Sequence, residues 1–290
     1  MPGTTLSVGK IGAVTPIRLI ALDIDGTLLD PNFQISAANL AALRRAHEHG
    51  VEVVLGTGRR HAFALPVAEA LGFDVWLISS NGAVTKSRGG ELFYRDMLPA
   101  GVARKFLAYM GEFRRNTVIT FDREERGALV IESADELNLS IRRWMEKNTD
   151  FIDYVVPLES ALAQDPIQAM ICGSIARMKV AEARLLRADF ISEVTVLKTE
   201  YEARDLCILD VLNRECSKGH ALRRWAEYRG YTRDEIVAVG DNYNDVEMLE
   251  FAGKPFIMGN ASEDLKRNGW PVTLPNDQSG VAAALASVGI

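Results

Sequence analysis

Apolar residues fall along this chain in short dense runs separated by longer stretches of helical spacing. Ile17 to Ile24 is nearly continuous in apolar character, the mark of a strand buried on both faces of a parallel sheet. In "SAANLAALRRAHEHG", Ser36 stands where a cap belongs, Leu40 and Leu43 recur at helical spacing, and Gly50 marks the stop. Val51 to Leu55 predicts a second strand. "FALPVAEALG" predicts a helix broken at or near Pro66, and Val75 to Ser79 a third strand. This β-α-β-α-β alternation predicts an α/β fold with a doubly wound parallel sheet and right-handed crossovers.

The texture then changes twice. Asn-Gly and Gly-Gly turns between Asn81 and Asp96 predict a hairpin. From Met97 the pattern is a helix, the paired strands "NTVITFD" and "GALVIE", a helix near Glu136 to Lys147, the strand "IQAMICG", a helix, and the strands "EVTVLKT" and "DLCILDVL". Strands in adjacent pairs between helices predict an α+β unit with an antiparallel sheet. Alternation resumes with a helix at 217–229, strand "IVAVG", a helix near 243–251, strand "PFIMG", a helix, strand "PVTL" and a last helix to Ala286. The expected organisation is a loose tail over 1–16, a core from 17–96 and 213–290, and an inserted unit over 97–212.

Composition narrows the partners. The net charge is −6 and the basic residues are scattered, which excludes the basic face that nucleic acid or an anionic membrane requires. Cys172, Cys207 and Cys216 show no paired or metal-binding spacing and read as reduced thiols, so a cytoplasmic location is expected. The first residues lack the apolar core of a signal peptide, and no stretch reaches membrane-spanning length.

Chemistry gathers where strands end, which in a doubly wound sheet is where ligands bind. "DIDGT" at 23–27, "GTGRR" at 56–60 and "GDNYND" at 240–245 all follow predicted strands, and "SKG" at 217–219 opens a helix. Asp23 and Asp25 are two residues apart, so in an extended strand they share a side, and their repulsion calls for a proton or a hard cation. The alternative is a strand that merely exits into a polar turn. Asp241 adds a third carboxylate, and Mg²⁺ takes one or two carboxylates with water and substrate phosphate. Asp245, a turn further on, is placed to bond a metal-bound water or Lys218. Thr57 and Gly58 offer a hydroxyl and close N–H groups to a phosphate, and Arg59 adds charge. Lys218 lies in a first helical turn, against the helix dipole, which an anion nearby would explain. "GTGRR" fits neither a Walker loop nor a dinucleotide fingerprint.

In their order, D-I-D-G-T-L-L, G-T-G-R, S-K-G and G-D-N-Y-N-D resemble the four motifs of the haloacid dehalogenase superfamily. "SNGA" and "DQSGVAAAL" are similar to its Cof-like sugar-phosphatase branch. Gly56 departs from the alanine more usual there, which should affect packing only. The resemblance implies a Rossmann-like core with an inserted cap over 97–212 that selects the substrate. It implies Asp23 as nucleophile forming an aspartyl-phosphate, and Asp25 as the acid and then the base. It also implies Mg²⁺ on the Asp23 carboxylate, the Asp25 carbonyl and the Asp241 carboxylate. Thr57, Gly58, Arg59 and Lys218 would hold the phosphate, with Asn244 and Asp245 tuning the rim. The substrate would be a small phosphorylated metabolite such as a sugar phosphate. A phosphomutase would use the same motifs. A phosphometabolite-binding regulator would be expected to have lost one of Asp23, Asp25, Lys218 and Asp241, and a receiver domain is far shorter.

Overall fold

A computed structural model describes residues 15–290; of the expected N-terminal tail, residues 1–14 lie outside the described residues. In chain order the strands are β1 (Leu19–Asp23), β2 (Glu52–Gly56), β3 (Trp76–Ser79), β4 (Val84–Ser87), β5 (Leu92–Arg95), β6 (Thr117–Thr120), β7 (Leu129–Ile131), β8 (Ile152–Tyr154), β9 (Gln168–Gly173), β10 (Val194–Tyr201), β11 (Leu206–Asn213), β12 (Ile236–Gly240) and β13 (Lys254–Ile257). The helices are α1 (Ala37–Glu48), α2 (His61–Leu71), α3 (Ala100–Tyr109), α4 (Leu139–Glu146), α5 (Ile175–Leu185), α6 (Lys218–Arg229), α7 (Val246–Phe251), α8 (Glu263–Lys266) and α9 (Gly280–Ser287).

The first sheet has the order β13-β12-β1-β2-β3-β4-β5. Its five strands from β13 to β3 are parallel, and β3-β4-β5 turn back as antiparallel pairs. Successive residues of β1 serve opposite layers, which is why its run is apolar throughout. Ile20 and Leu22 pack with Leu43 of α1, Leu71 of α2 and Leu285 of α9, while Leu19 and Ala21 pack with Leu222 and Trp225 of α6 and Leu249 of α7. Each such aliphatic side chain contributes roughly 1.5–3 kcal/mol through burial. The doubly wound architecture expected from the alternation is therefore present.

The second sheet has the order β10-β11-β9-β6-β7-β8 and comes wholly from the stretch between β5 and α6. One face, with Ile119, Ile171 and Leu209, packs on Phe106 of α3 and on Met178 and Leu185 of α5. The other carries Val118, Leu129 and Leu206, partly covered by Met145 of α4.

Three expectations are corrected. The second sheet is not wholly antiparallel: β7 and β8 run parallel, because α4 connects them as a crossover. The helix α2 runs unbroken through Pro66; one interior hydrogen bond is lost, but Ala64, Val67, Ala68 and Leu71 around it are all buried. "PVTL" forms no strand, only a single bridge from Val272 to Ile257, and among the described residues Val272 and Leu274 stay exposed.

Candidate active site

The strand-end motifs converge at the carboxyl edge of the parallel sheet, where Asp23, Asp25, Thr57, Gly58, Arg59 and Asn244 line one cavity of about 190 Å³. β1 stops at Asp23, so Asp25 is not in the strand and the same-side expectation does not hold. A turn closed by Leu28 N–H to the Asp23 carbonyl and Leu29 N–H to the Ile24 carbonyl brings Asp25 back instead. There Arg59 grips its carboxylate with both arms, Nε to Oδ2 at 2.7 Å and Nη2 to Oδ1 at 2.6 Å. Arg59 was expected on the phosphate; in this structure it lies on Asp25.

Gly26 in this turn has φ +91°, and a Cβ there would collide with Oδ2 of Asp241. Glycine thus lets Asp241 lie directly over the turn, where Thr27 Oγ1 donates to its Oδ1 at 2.9 Å.

Lys218 is fully buried, and its Nζ donates to Asp23 Oδ1 at 2.6 Å and Asp245 Oδ1 at 2.7 Å. Ser217 caps α6 by accepting from His220 N–H, which fixes where the lysine starts. A Cβ on Gly219 would strike the Glu247 backbone, so glycine lets α6 pack against α7. Asp245 sends its other oxygen to the N–H groups of Asp241 and Asn242, at 3.0 and 3.1 Å. Asp245 thus bonds Lys218, one of the two partners expected for it, and also this loop. Gly56 leaves ordinary contact room, a Cβ there lying 3.4 Å from Met248 Sδ and 3.6 Å from the Lys218 stem.

Carboxylate oxygens of Asp23, Asp241 and Asp245 come within 4.8 Å of one another, all buried. Burial and the neighbouring acids push Asp23 up to about 7 despite Lys218, and Asp241 well above its usual range for the same reasons. Burial alone would lower Lys218, but the carboxylates of Asp23 and Asp245 raise it instead, so it stays an ammonium. One lysine does not offset the crowded acids. Their hard oxygen donors and shared need for positive charge fit a divalent cation such as Mg²⁺.

Thr57 is buried, its N–H bonded to the Ile78 carbonyl and its Oγ1 accepting from Arg59 N–H at 3.1 Å. Gly58 faces Asn81, whose side chain would lie 3.3 Å from a Cβ there. Asn244 Nδ2 donates to Asn81 Oδ1 at 2.9 Å, and its own Oδ1 is buried without a partner.

Sequence reasoning missed the residues that join the two sheets. Asn81, in left-handed backbone at φ 53°, donates to Asp210 Oδ2 at 2.8 Å, and Gln168 Nε2 donates to Asp210 Oδ1 at 2.8 Å. Asp210 lies on β11 and is buried, which pushes it up to about 7. Asn242 holds the Glu200 backbone by both groups, accepting from its N–H at 3.1 Å and donating to its carbonyl at 2.9 Å. Tyr201 on β10 completes the roof of the cavity. A lone acid inside the apolar run "CILDVL" was the available signal for Asp210, and it has the same form as the one that singled out Asp23.

A doubly wound sheet with this inserted unit, polar clusters at three strand ends and a buried lysine at a helix start defines a class of hydrolases. The chain belongs to the haloacid dehalogenase-like hydrolase family, whose profile matches residues 20–285. It is similar to Phosphatase YwpJ of Bacillus subtilis (strain 168), 34% identical over 283 residues, covering 92% of this chain and 98% of that protein. It is also similar to the HMP-PP phosphatase of Shigella flexneri serotype 5b (strain 8401), 32% identical over 250 residues and covering 86% of each. Among solved structures, a haloacid dehalogenase-like hydrolase from B. subtilis superposes with a TM-score of 0.79 at 28% identity, covering 93% of this chain and 99% of that one. The chain is an enzyme of the phosphatase type. No helix among the described residues is long and apolar enough to cross a membrane.

Proposed function

We propose that this enzyme hydrolyses small phosphorylated metabolites by passing the phosphoryl group through Asp23. The observation that supports this best is the buried Lys218 pinned between Asp23 and Asp245. Such a group aims one carboxylate into the cavity and offers a fixed positive charge to phosphoryl oxygens beside it. The HMP-PP phosphatase and the pyridoxal phosphate phosphatase YbhA of Escherichia coli (strain K12), 28% identical over 251 residues, are relatives whose names carry this kind of substrate.

In the proposed first step an Asp23 oxygen attacks phosphorus, the ester P–O bond breaks, and Asp25 protonates the departing alcohol oxygen. In the second, water attacks the phosphoryl-Asp23, Asp25 takes its proton, and inorganic phosphate leaves with Asp23 restored. Arg59 holds both oxygens of Asp25. Donation to the alcohol needs Arg59 to move off, and an arriving phosphate, competing for the same planar fork, favours that. Thr57, the Gly58 N–H and Asn244 would complete the phosphate cradle. The Asp23 carboxylate, the Asp25 carbonyl and the Asp241 carboxylate would hold Mg²⁺. When bound, it supplies charge that keeps the acids ionised and offsets the negative charge of the transferring group. Residues 97–212 would act as a cap, closing over the phosphate to exclude water and contact the leaving group.

Hydrolysis of p-nitrophenyl phosphate tests this reading: Mg²⁺-dependent phosphate release, stopped by EDTA and regained with Mg²⁺, is the expected result. Full activity in EDTA, or binding of phosphate esters with no turnover on any of them, would overturn it.

A further inference from the structure

Four buried side chains form one hydrogen-bonded line across the junction of the two sheets: Gln168 at the start of β9, Asp210 on β11, Asn81 in the Ser80–Gly82 turn and Asn244 in the Tyr243–Asp245 turn. The mechanism above gives Asp210 and Asn81 no task. Gln168 Nε2 donates to Asp210 Oδ1 at 2.8 Å, Asn81 Nδ2 to Asp210 Oδ2 at 2.8 Å, and Asn244 Nδ2 to Asn81 Oδ1 at 2.9 Å. Both ends of the line leave an acceptor over, since Gln168 Oε1 and Asn244 Oδ1 are buried without partners.

A buried carbonyl oxygen without a donor is costly, so a line that leaves two of them has a cause. Turning the Asn244 amide over would not pair its oxygen, because Oδ1 would then face Oδ1 of Asn81. Pairing it requires the line to reverse, with Asn81 donating to Asn244 and some other group donating to Asn81. An ionised carboxylate only accepts, so Asp210 forbids the reversal. An acid on the inserted unit thereby fixes which way two amides of the core point. Asn244 lines the phosphate-sized cavity, yet its Oδ1 is sealed from it. The amide therefore meets the cavity with Nδ2, which has a second hydrogen to give, and that is the polarity a phosphoryl oxygen needs.

We infer that Asp210 is a positioning residue: through Asn81 it holds the Asn244 amide with its donor side toward the phosphate, which ties phosphate affinity to the seating of the inserted unit on the core. The inference rests on Asn244 belonging to the phosphate cradle proposed above, and not on transfer through Asp23. Asp210 also lines the same cavity, and as a bare negative charge it would weaken phosphate binding. The two roles have opposite signs, so one substitution separates them.

The test is a double-mutant cycle on phosphate affinity. The Kd of inorganic phosphate, measured by calorimetry with Mg²⁺ at pH 8, is compared among wild type, Asp210→Asn, Asn244→Ala and the double variant. Burial pushes Asp210 up to about 7, so it is mostly ionised at that pH. Asn244→Ala should raise Kd by about tenfold. Asp210→Asn donates as readily as it accepts and no longer sets the direction of the line. Alone it should raise Kd by about three- to tenfold, and beside Asn244→Ala by less than about twofold. Should Asp210→Asn not fold, Asn81→Gly takes its place in the cycle, since it breaks the same line at a backbone φ of 53° that glycine adopts freely. An equal loss from Asp210→Asn in both backgrounds would show that it acts elsewhere. Tighter phosphate binding would show that its charge outweighs its orienting role, and an unchanged Kd in Asn244→Ala that this amide does not touch phosphate. Each of these overturns the inference and leaves the mechanism standing. If the wild type binds no phosphate, the cradle and the inference fall together. Binding of phosphate without turnover of p-nitrophenyl phosphate would remove transfer through Asp23, while the cycle still decides the role of Asp210.

Discussion

The floor and the roof of this site are built on opposite principles. The floor, at the edge of the parallel sheet, is crowded with charge, and nearly every polar atom is engaged: Lys218 on Asp23 and Asp245, Asp245 on two backbone N–H groups, Asp241 on Thr27 and Asp25 on Arg59. The roof, on one face of the second sheet, is mostly aliphatic and leaves Gln168 Oε1 unpaired. A fully bonded floor suits a constant task, the handling of a phosphoryl group, which demands fixed geometry. A roof with unspent bonding capacity suits recognition of a variable group. Changes on the floor should therefore act on kcat, and changes on the roof on KM and on the choice between substrates.

Asp23→Asn should give the largest effect. An amide is no nucleophile toward phosphorus, and kcat should fall on the order of ten-thousandfold or more, with an unchanged circular dichroism spectrum. Residual activity above a hundredth of wild type in a clean preparation would remove Asp23 from the role. Asp25→Asn should lower kcat/KM, which reports the first step alone, by about a hundred- to a thousandfold for an alkyl phosphate and much less for p-nitrophenyl phosphate, whose leaving group needs no proton. Equal losses on both esters would argue against proton transfer by Asp25.

Next comes the charge on the floor without catalysis. The folded-state value of Asp23 is raised from 3.8 to about 7, so between those limits the folded protein binds more protons than the unfolded chain. Stability of the metal-free protein should then fall as pH rises from about 4 to 7. Mg²⁺ bound by these acids would relieve this at high pH, so the shift in melting temperature on adding Mg²⁺ should be larger at pH 8 than at pH 5. At a hundred times its Kd a bound ion adds about 2.7 kcal/mol. An equal shift at both pH values would separate the acid cluster from the metal. The smallest effect is expected at the junction of floor and roof. Asp210→Asn loses one of two accepted bonds, from Asn81 or from Gln168, and should raise KM by about three- to tenfold with kcat within a factor of three. A kcat collapse there would mean that the roof belongs to the chemical machinery.

The floor was legible in the sequence because each of its parts is local. Strand ends, a capped helix start, turn glycines at 26 and 58 and the helix glycine at 219 lie in runs of a few residues, and their spacing carries their meaning. The junction was not legible in the same way. Asp210, Gln168 and Asn81 meet only because β11 pairs with β9 and the Ser80–Gly82 turn rises beneath them, contacts set by sheet pairing across long stretches of chain. The bidentate grip of Arg59 on Asp25 likewise depends on how two loops fold back. β8 is three residues long, too short to carry a period, so the parallel crossover around α4 went unread.

Whether a phosphoryl group ever resides on Asp23 is the central question, and Asp25→Asn offers a way to see it. This variant should accept phosphate from p-nitrophenyl phosphate yet release it slowly, because the base that activates water is gone. Rapid acid quench and intact-mass measurement with Mg²⁺ should show a species heavier by one phosphoryl group, hydroxylamine-labile and mapped by peptide fragmentation to Asp23. Burst-phase release of p-nitrophenol equal to the amount of that species would match the account. A burst with no labelled protein, or a label on any residue other than Asp23, would contradict it.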